Sequence, residues 1–357
     1  VLGGRGMAIV YDDSDLVTYM ESATHVTPDR PVYLDAFLED AIELDVDALC
    51  DTEECYVGSV LEHIEECGIH SGDSACCWPP FSLSEKIVDQ IRAITKKLAL
   101  ACGIRGLLNI QYAVRDEHVF VIELNPRASR TVPFSSKATG VSLAKYASRI
   151  MAGEKISELR AQGLLPDENR TVDYYAVKEA VMPWSRFPGA DSILGPEMKS
   201  TGEVMGIART FPAAYAKTRE AVENKLPEQG SVFISVCDRD KRAIAPVAMA
   251  LENLGYGIYT TGGTAKTLRA AGIDCTTVNR ISDGHPNVVD LMRDKTVSFI
   301  INTPHGHEAH SDGTKMRAEA VSQGITCVTA MSAATALIQA LAAARKSEPE
   351  TFALQDL

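Results

Sequence analysis

The stretch Leu108-Asn109-Ile110-Gln111-Tyr112-Ala113-Val114 is followed, after the polar connection Arg115-Asp116-Glu117-His118, by Val119-Phe120-Val121-Ile122-Glu123-Leu124-Asn125-Pro126-Arg127. Both runs are apolar enough to form strands, and a short polar connection is typical of a hairpin. With the turn centred on Glu117, position 111 lies directly opposite position 123, and Asn125 shares the face of Glu123. The sequence therefore predicts a β-hairpin on which Gln111, Glu123 and Asn125 converge.

These three side chains carry oxygen atoms in an otherwise hydrophobic sheet. Such groups cost free energy unless a partner satisfies them, and a hard cation such as Mg²⁺ or Mn²⁺ takes ligands of this kind. Arg127 and Arg130 follow at once, and guanidinium groups beside such a cation indicate phosphate oxygens. The pattern predicts a metal-assisted polyphosphate site. The alternative is an edge hairpin whose polar residues are solvated.

Composition narrows the class of protein. A chain of 357 residues with 45% hydrophobic residues has room for about two globular domains. The net charge of −13 argues against a nucleic-acid partner, because the basic footprint of such proteins is missing. No apolar run approaches the ~20 residues of a membrane span, and the first residues do not resemble a signal peptide. Nine cysteines without a CxxC pair indicate reduced thiols and the cytoplasm.

The first hundred residues contain four local signals. Asp13-Ser14-Asp15 predicts a helix start, and Pro31-Val32-Tyr33-Leu34-Asp35 predicts an extended segment. Ala41 to Ala48 alternates, which places Glu43, Asp45 and Asp47 on one strand face that is expected to be solvated. Ser82-Leu83-Ser84-Glu85 predicts a capping box for a helix that stops at Gly103.

A loop with glycines at both ends, Gly68-Ile69-His70-Ser71-Gly72-Asp73-Ser74, separates these strands from that helix. Glycine lets the backbone approach a ligand closely, so the loop is a candidate ligand contact. The alternative is an ordinary surface loop. His70 by itself would more often be a structural histidine than a ligand.

The last part of the chain alternates strands and helices. Strands are predicted at 231–236, 257–261, 274–278, 297–302 and 325–330, with helices near 240–254 and from Thr264. Five such units imply a doubly wound parallel sheet. Thr260-Thr261-Gly262-Gly263-Thr264 lies where a strand turns into a helix, which is a weak signal for phosphate binding. His305 to His310 is interpreted as a solvated loop and not as a zinc site.

Several motifs together resemble one family, the carbamoyl-phosphate synthase large chain. The resemblance is carried by Glu123-Leu124-Asn125-Pro126-Arg127 with Gln111, by residues 64–74, and by Val1 to Arg5, Arg130 to Phe134, Ser136 to Gly140 and Leu194 to Gly206. Its register matches the C-terminal half of that chain. It implies an α/β and α+β fold: part of an ATP-grasp lobe followed by a doubly wound domain resembling methylglyoxal synthase. The implied parts are 1–150 (ATP-grasp), 151–222 (trailing segment and connection) and 223–357 (allosteric domain).

The resemblance also implies site residues. It assigns ATP binding to Asp35, Leu38, Glu43, Gly68, Ile69, His70, Ser71, Gln111 and Glu123, metal binding to Gln111, Glu123 and Asn125, and the catalytic role to Arg127 and Arg130. It further implies a nucleotide monophosphate effector, UMP or IMP, at Lys241, Thr261, Thr264, Asn302 and Thr303. Ornithine is expected at Glu65, Asp73, Glu179 and Thr329. Gln111 departs from many ATP-grasp enzymes, which place an acidic ligand there.

The implied reaction is phosphorylation of carbamate by ATP, giving carbamoyl phosphate for arginine and pyrimidine biosynthesis. The implied partners are the N-terminal half of the large chain, without which this fragment is expected to be inactive, and a glutaminase small subunit. Three alternatives stay open: a regulatory nucleotide-binding module without catalysis, another ATP-grasp ligase such as a biotin-dependent carboxylase, and methylglyoxal synthase activity in the terminal domain.

Overall fold

The computed structural model describes residues 8–10, 12–23, 32–187, 190–222, 227–303, 308–346, 350–351 and 353–356. Within these ranges the chain forms two sheets with helices packed against them. The predicted contributions of Val1 to Arg5 and of residues 304–307 lie outside the described residues. None of the described helices is long and apolar enough to cross a membrane.

The first part begins with helix α1 (Asp13–Ala23), which starts where the Asp13-Ser14-Asp15 signal predicts. The first sheet has seven strands in the order β5-β4-β1-β2-β3-β6-β7, and every neighbouring pair is antiparallel. Its strands are β1 (Ile42–Asp51), β2 (Cys55–His63), β3 (Cys76–Trp78), β4 (Arg105–Arg115), β5 (His118–Asn125), β6 (Tyr175–Val181) and β7 (Gly202–Ala208).

Helices cover both faces of this sheet. Helix α2 (Glu85–Ala101) packs on the face that presents Leu44, Val46, Ala48 and Cys50. Helices α3 (Val132–Thr139), α4 (Leu143–Met151) and α5 (Ile156–Ala161) follow the hairpin. The apolar residues of α4 and α5 pack around Leu49 and Tyr56 on the other face. Helix α6 (Phe211–Ala221) then packs against β6. The polar residues Glu43, Asp45 and Asp47 of β1 lie on the face opposite α2, and Asp47 accepts a hydrogen bond from Ser135 of α3.

Two local predictions in this part are wrong. Residues 32–35 belong to no strand, and residue 31 lies outside the described range. The capping box at Ser82 is not formed: α2 has Ser84 at its N-cap without a side-chain cap, and the Ser82 hydroxyl donates to Glu62 Oε1 instead. The buried Glu62 carboxylate also accepts the backbone N–H groups of Phe81 and Ser82, at 2.9 and 3.0 Å. A buried carboxylate competes better for the Ser82 hydroxyl than a helix end exposed to water.

The second part is a doubly wound parallel sheet, as predicted. Its strands are β8 (Ser231–Val236), β9 (Gly257–Thr260), β10 (Thr276–Thr277), β11 (Phe299–Thr303) and β12 (Thr326–Val328), in the order β10-β9-β8-β11-β12. The helices α7 (Lys241–Asn253), α8 (Gly262–Ala270) and α11 (Met331–Ala344) share one apolar cluster, whereas α9 (Val288–Arg293) and α10 (Glu308–Gln323) contribute to the other. The predicted fold class is confirmed. The division of the chain into parts 1–150, 151–222 and 223–357 stays a prediction.

The two parts are joined through an apolar layer. Helix α11 of the second part packs on helix α6 of the first, and both contribute to one buried cluster with Ile64, Ala75 and Val177. In the sequence, residues 227–230 lie between α6 and β8. They have no regular structure, as predicted. The packing of α11 against α6 therefore fixes the position of the parallel sheet beside the antiparallel one.

Candidate functional site

The predicted hairpin is formed by β4 and β5, and its register brings the polar residues together. Gln111 pairs with Glu123, Asn109 pairs with Asn125, and Asn125 Nδ2 donates to Glu123 Oε1 at 2.7 Å. The turn lies between Asp116 and Glu117, both with positive φ, and not on Glu117 alone. A β-bulge at Gln111 and Tyr112 shifts the pairing by one residue. The bulge compensates for the different position of the turn, so residue 111 pairs with residue 123 as predicted.

Strand β5 is the edge of the sheet, and Glu123 is exposed. The hairpin therefore lies at the edge of the sheet, as the alternative interpretation predicted. The polar residues, however, continue inward across the sheet in two rows, because directly paired residues share a face. One row is Asp45, Gln111 and Glu123, and the other is Asp47, Asn109 and Asn125.

The hairpin offers donors that suit a hard cation. Glu123 contributes a carboxylate, and Gln111 and Asn125 each contribute an amide oxygen, which are ligands that Mg²⁺ accepts. In the described part of the chain no group of three or more His, Cys, Asp or Glu residues could hold a metal by itself. With a single carboxylate, these residues fit a cation whose remaining ligands come from a polyphosphate.

The carboxylates of β1 are buried, so the expectation that they are solvated is wrong. Glu43, Asp45 and Asp47 are exposed by 5%, 1% and 0%. A buried carboxylate persists only with hydrogen-bond or charge partners. Each of the three has them, and each holds a different part of the site.

Asp47 holds the segment that follows the hairpin. Its carboxylate accepts hydrogen bonds from the hydroxyls of Ser129 (2.6 Å), Thr131 (2.7 Å) and Ser135 (2.9 Å), and from the Asn109 amide (3.1 Å). Burial still raises the pKa of Asp47, since these bonds only partly offset desolvation. The exposed Arg130 lies between Ser129 and Thr131, so its backbone is fixed on both sides.

Asp45 pairs with a buried histidine. His63 Nε2 lies 2.9 Å from Asp45 Oδ2, and Asn109 Nδ2 donates to Asp45 Oδ1 at 3.1 Å. Burial opposes ionisation of both groups, but their mutual attraction outweighs it: the pKa of Asp45 is lowered and that of His63 is raised. Both shifts favour the charged forms, so the fold stabilises a carboxylate paired with an imidazolium.

Glu43 contacts the glycine-bracketed loop. Its Oε2 accepts the Gly68 N–H at 2.9 Å, and burial raises its pKa. Gly68 has φ +94°, and a Cβ atom there would lie 3.0 Å from the Phe37 ring, so only glycine fits without a shift. Phe37 lies between the predicted nucleotide residues Asp35 and Leu38, in a segment without regular structure. Gly68 thus lies between Glu43 and the segment that contains Asp35 and Leu38, all of which the resemblance assigns to ATP binding.

His70 belongs to this loop and is held by two backbone groups. Its backbone N–H donates to Gly195 O at 2.8 Å, and its Nδ1 accepts the Gly72 N–H at 3.0 Å. Burial and the charge of Arg130 lower the pKa of His70, whereas the carboxylates of Asp73, Asp45 and Glu123 oppose this change. The charges of Arg130 and Glu123 therefore act on His70, which lies between Ile69 and Ser71 in the sequence. Arg127, also exposed, donates to the neighbouring Ala128 carbonyl.

The predicted effector residues meet at one edge of the parallel sheet. Thr261 precedes α8, Lys241 begins α7, and Asn302 and Thr303 end β11. A Cβ atom at Gly263 would lie 3.3 Å from Lys241 Nζ. Asn302 Nδ2 donates to Ser235 O at 2.9 Å, and Thr264 Oγ1 accepts the Val236 N–H at 3.4 Å. A helix N-terminus beside a lysine is suited to an anion.

The four residues expected to bind ornithine are only partly brought together. Burial and the negative charge of Glu179 raise the pKa of Glu65, so these two carboxyl groups repel each other when both are ionised. Asp73 instead accepts the backbone N–H groups of Lys199 and Ser200, both at 2.8 Å. Among the described residues no hydrogen bond links Asp73 or Thr329 to either glutamate.

Sequence reasoning missed Asp45, Asp47, His63 and Asn109 as residues that organise the site. One signal was available: the row of carboxylates on β1 lies at the same two-residue spacing as Asn109 and Gln111 on β4. The pairing of β1 with β4, which places these rows side by side, joins segments 64 residues apart. Local pattern does not predict such a pairing.

Comparisons with known proteins match both parts of the chain. Residues 1–159 match the family described as "Carbamoyl-phosphate synthase L chain, ATP binding domain", and residues 243–329 match the "MGS-like domain". The biotin carboxylase domain of the Hydrogenobacter thermophilus 2-oxoglutarate carboxylase, solved with MgADP, is 18% identical with a TM-score of 0.45. That match covers 62% of this chain and 54% of the solved one. A similarity this low carries no argument about the site.

Two curated relatives are more similar. The carbamoyl phosphate synthase large chain of Renibacterium salmoninarum is 48% identical over 378 residues, covering 100% of this chain and 34% of that protein. The chain thus spans about a third of that relative's length. The "carbamoyl phosphate synthase large chain, C-terminal section" of Aquifex aeolicus is 46% identical, covering 98% of this chain and 67% of that protein. With this identity over its whole length, the chain belongs to the carbamoyl phosphate synthase large chain family.

Proposed function

We propose that the chain carries an ATP site at which carbamate is phosphorylated to carbamoyl phosphate. The observation that carries the proposal is the cross-strand pair of Gln111 and Glu123 with Asn125 bonded beside it, together with the loop that contains His70 and donates to Glu43. Oxygen ligands, two arginines and a close-approach glycine loop are the parts that phosphoryl transfer from ATP needs.

The residues of the chain act by positioning and by charge. The carboxylate of Glu43, held by the Gly68 N–H, would accept the ribose hydroxyls, and Asp35, Leu38, Ile69 and Ser71 would line the rest of the nucleotide. Mg²⁺ or Mn²⁺ bound by Gln111, Glu123 and Asn125 would neutralise charge on the phosphates. Arg127 and Arg130 would orient the transferring group through their planar forks. Asp47 binds the hydroxyls of Ser129 and Thr131, on both sides of Arg130. The Cα position of Arg130 is therefore fixed, which limits the positions that its guanidinium can reach.

The proposal extends to the whole protein. Because the chain spans about a third of the Renibacterium relative, we expect the complete reaction to need the N-terminal half of the large chain and a glutaminase subunit. By itself the chain is expected to be inactive. The product would serve arginine and pyrimidine biosynthesis in the cytoplasm.

Regulation is proposed for the second part. A nucleotide monophosphate such as UMP or IMP would place its phosphate at the N-terminus of α8, near Lys241, Thr261 and Thr264. Asn302 and Thr303 would contact the rest of the molecule. A purely regulatory module is the second candidate, since this anion site is formed independently of the hairpin.

The test is ATP formation from ADP and carbamoyl phosphate by a longer chain that includes the N-terminal half. Glu123→Ala is expected to reduce the rate by about 100-fold or more, because a ligand for the charge of the transition state is lost. Glu117→Ala is the matched control: the same substitution in the exposed turn of the same hairpin, expected to leave the rate unchanged. Equal rates in the native and Glu123→Ala proteins would contradict the proposed site. No turnover in any folded version would favour the regulatory module.

A further inference from the structure

Two cysteines lie opposite each other at the closed end of the hairpin that β1 and β2 form. Cys50 pairs directly with Cys55 across the two strands, and both side chains belong to the apolar cluster on the α2 face of the sheet. Within the described strands no other cysteine pairs with a cysteine. Neither thiol has a role in the ATP site or the effector site proposed above.

The turn determines which kind of cross-strand pair the two cysteines form. The Asp51 N–H donates to the Glu54 carbonyl at 3.1 Å, so these two residues, which lie between the cysteines, are a hydrogen-bonded pair. Hydrogen-bonded and non-hydrogen-bonded pairs alternate along an antiparallel ladder, and the Cα atoms of a non-hydrogen-bonded pair are about 4.5 Å apart. A disulfide spans Cα separations of about 4.4 to 6.8 Å. Cys50 and Cys55 are thus spaced for a disulfide without movement of the strands.

The two thiols also differ in acidity. The Cys55 thiol donates a hydrogen bond to the Cys50 sulfur, and this bond lowers the pKa of Cys50 to about 7, although burial opposes it. The same bond and burial raise the pKa of Cys55. The thiolate, and not the thiol, is the nucleophile toward an oxidant. Cys50 is therefore the residue that reacts first, and Cys55 is the one that closes the disulfide.

We propose that Cys50 and Cys55 form a redox site at which a peroxide closes a cross-strand disulfide. The Cys50 thiolate attacks hydrogen peroxide, so that an S–O bond forms, the O–O bond breaks and hydroxide leaves. The Cys55 thiol then attacks the sulfenic acid sulfur: the S–S bond forms, the S–O bond breaks, and the departing hydroxyl leaves with the Cys55 proton as water. The thiols lose two electrons, and the peroxide takes them up. Reversible disulfides of this kind are typical of redox-sensing proteins in a reducing compartment.

Surface ion pairs lie beside Cys55. Arg160 pairs with Glu54, the neighbour of Cys55, at 2.8 Å, and both Arg160 and Lys96 pair with Glu168. The charges of Glu168 and Lys96 act on Cys55. The Arg160 and Lys96 side chains are 35% and 43% exposed, and ion pairs in contact with water contribute little to stability. Local opening of these ion pairs lets a small oxidant reach thiols that are buried in the closed fold.

The neighbouring cysteines Cys76 and Cys77 on β3 do not meet these conditions. Successive side chains of a strand point to opposite faces, and these two belong to different apolar clusters. Burial raises the pKa of both thiols. The redox site is therefore defined by cross-strand pairing and not by closeness in the sequence.

The experiment is peptide mapping of the folded 357-residue chain after treatment with hydrogen peroxide, followed by alkylation of the remaining thiols in denaturant. Cleavage after Glu53 and Glu54 places the two cysteines on separate peptides, so only a disulfide keeps them together. We expect this linked pair of peptides to form with a pH midpoint near 7 and to be lost on reduction with dithiothreitol. The exposed Cys102 is the internal control for an active oxidant.

Two variants separate the roles of the thiols. Cys55→Ser keeps a hydrogen-bond donor beside Cys50 but cannot close a disulfide, so a sulfenic acid at Cys50 is expected to accumulate and to be trapped by dimedone. Cys50→Ser leaves only the thiol of raised pKa, and Cys55 is expected to stay unmodified. Cys76→Ser, the same substitution at another buried strand position, is the matched control and should retain the linked peptides at the native yield.

Free Cys50 and Cys55 thiols in the native chain, under conditions that oxidise Cys102, would overturn the proposal. So would linked peptides that form only after unfolding in urea, or a disulfide from either residue to Cys102. Mapping of the native chain decides the question even if neither variant folds. Turnover and effector binding enter none of these readouts, so the proposed function stands or falls separately.

Discussion

At the level of single residues, the site is organised from beneath by buried acids. Asp47 collects four hydrogen bonds, Asp45 pairs with His63, and Glu43 holds the Gly68 backbone. Two exposed residues that we propose meet the substrate lie next to this buried layer: Glu123 shares a row with Asp45, and Arg130 lies between Ser129 and Thr131, which bond to Asp47. Their positions depend on residues that would never contact the nucleotide phosphates.

We predict that His63→Gln lowers the free energy of unfolding only within a defined pH window. The raised pKa of His63 contributes stability that is complete below its ordinary value of 6.5 and is lost as pH rises through the folded-state value. The lowered pKa of Asp45 contributes stability above its ordinary value of 3.8, which is lost as pH falls through the folded-state value. Between pH 3.8 and pH 6.5 the free energy of unfolding of the native chain should therefore exceed that of the variant by about 3 kcal/mol.

Urea unfolding of both proteins from about pH 3 to about pH 9 measures this difference. The difference in the free energy of unfolding should narrow as pH rises through the folded-state pKa of His63 and as pH falls through the folded-state pKa of Asp45. His118→Gln, in the exposed hairpin turn, is the control and should show no such window. A difference that stays constant with pH would contradict the ion pair.

At the level of elements, strands β6 and β7 show how closely the sheet packs on its helices. Gly206 on β7 lies under α6, where a Cβ atom would come within 2.3 Å of the Ala214 carbonyl oxygen. Gly202, at the start of the same strand, has only ordinary contacts of 3.8 Å or more with Val181. The strand thus contains one glycine that packing requires and one that it does not.

We predict that Gly206→Ala lowers the free energy of unfolding by about 2 kcal/mol or more, because backbone atoms of α6 must move away. Gly202→Ala is the matched control and should change stability by less than about 0.5 kcal/mol. Denaturant unfolding of both variants checks the prediction. An equal effect at the two positions would show that strand flexibility, and not contact with α6, decides the outcome.

At the level of the whole molecule, a buried arginine links the two sheets. Arg317 of α10 is fully buried and donates to both oxygen atoms of Asp191, at 2.5 and 2.7 Å, and to Asn302 Oδ1 at 3.1 Å. Asp191 belongs to the connection between β6 and β7, which also supplies the Gly195 carbonyl to His70. The predicted effector residue Asn302 and the predicted ATP loop are therefore attached to the same connection.

We predict that Arg317→Met destabilises the chain by about 3 to 5 kcal/mol, since Asp191 is left without its charge partner. Arg293→Met removes an exposed arginine of α9 that pairs with Glu319 of α10, and should cost less than about 1 kcal/mol. Urea unfolding of the two variants measures both effects. Equal stability of the two variants would rule out the link as a structural element.

Local pattern was enough for much of the fold. The five strands of the second part, their parallel winding and the hairpin pairing of 111 with 123 follow from apolar periodicity and turn residues, which act over a few neighbouring positions. The family could likewise be recognised from short motifs. The extended segment at 31–35 and the capping box at Ser82 were wrong, because no strand pairs with residues 32–35 and because Glu62 captures the serine.

The sequence by itself determined which elements form and which polar residues are spaced for a nucleotide site. Tertiary structure alone decided which of those residues are buried and which charges meet. Asp45 and Asp47 are far in sequence from Asn109 and Ser129, and Arg219 is 40 residues from Glu179. Whether a carboxylate is solvated, paired with a histidine or matched by an arginine depends on how strands and helices from distant segments pack together, because desolvation and charge act through space and not along the chain.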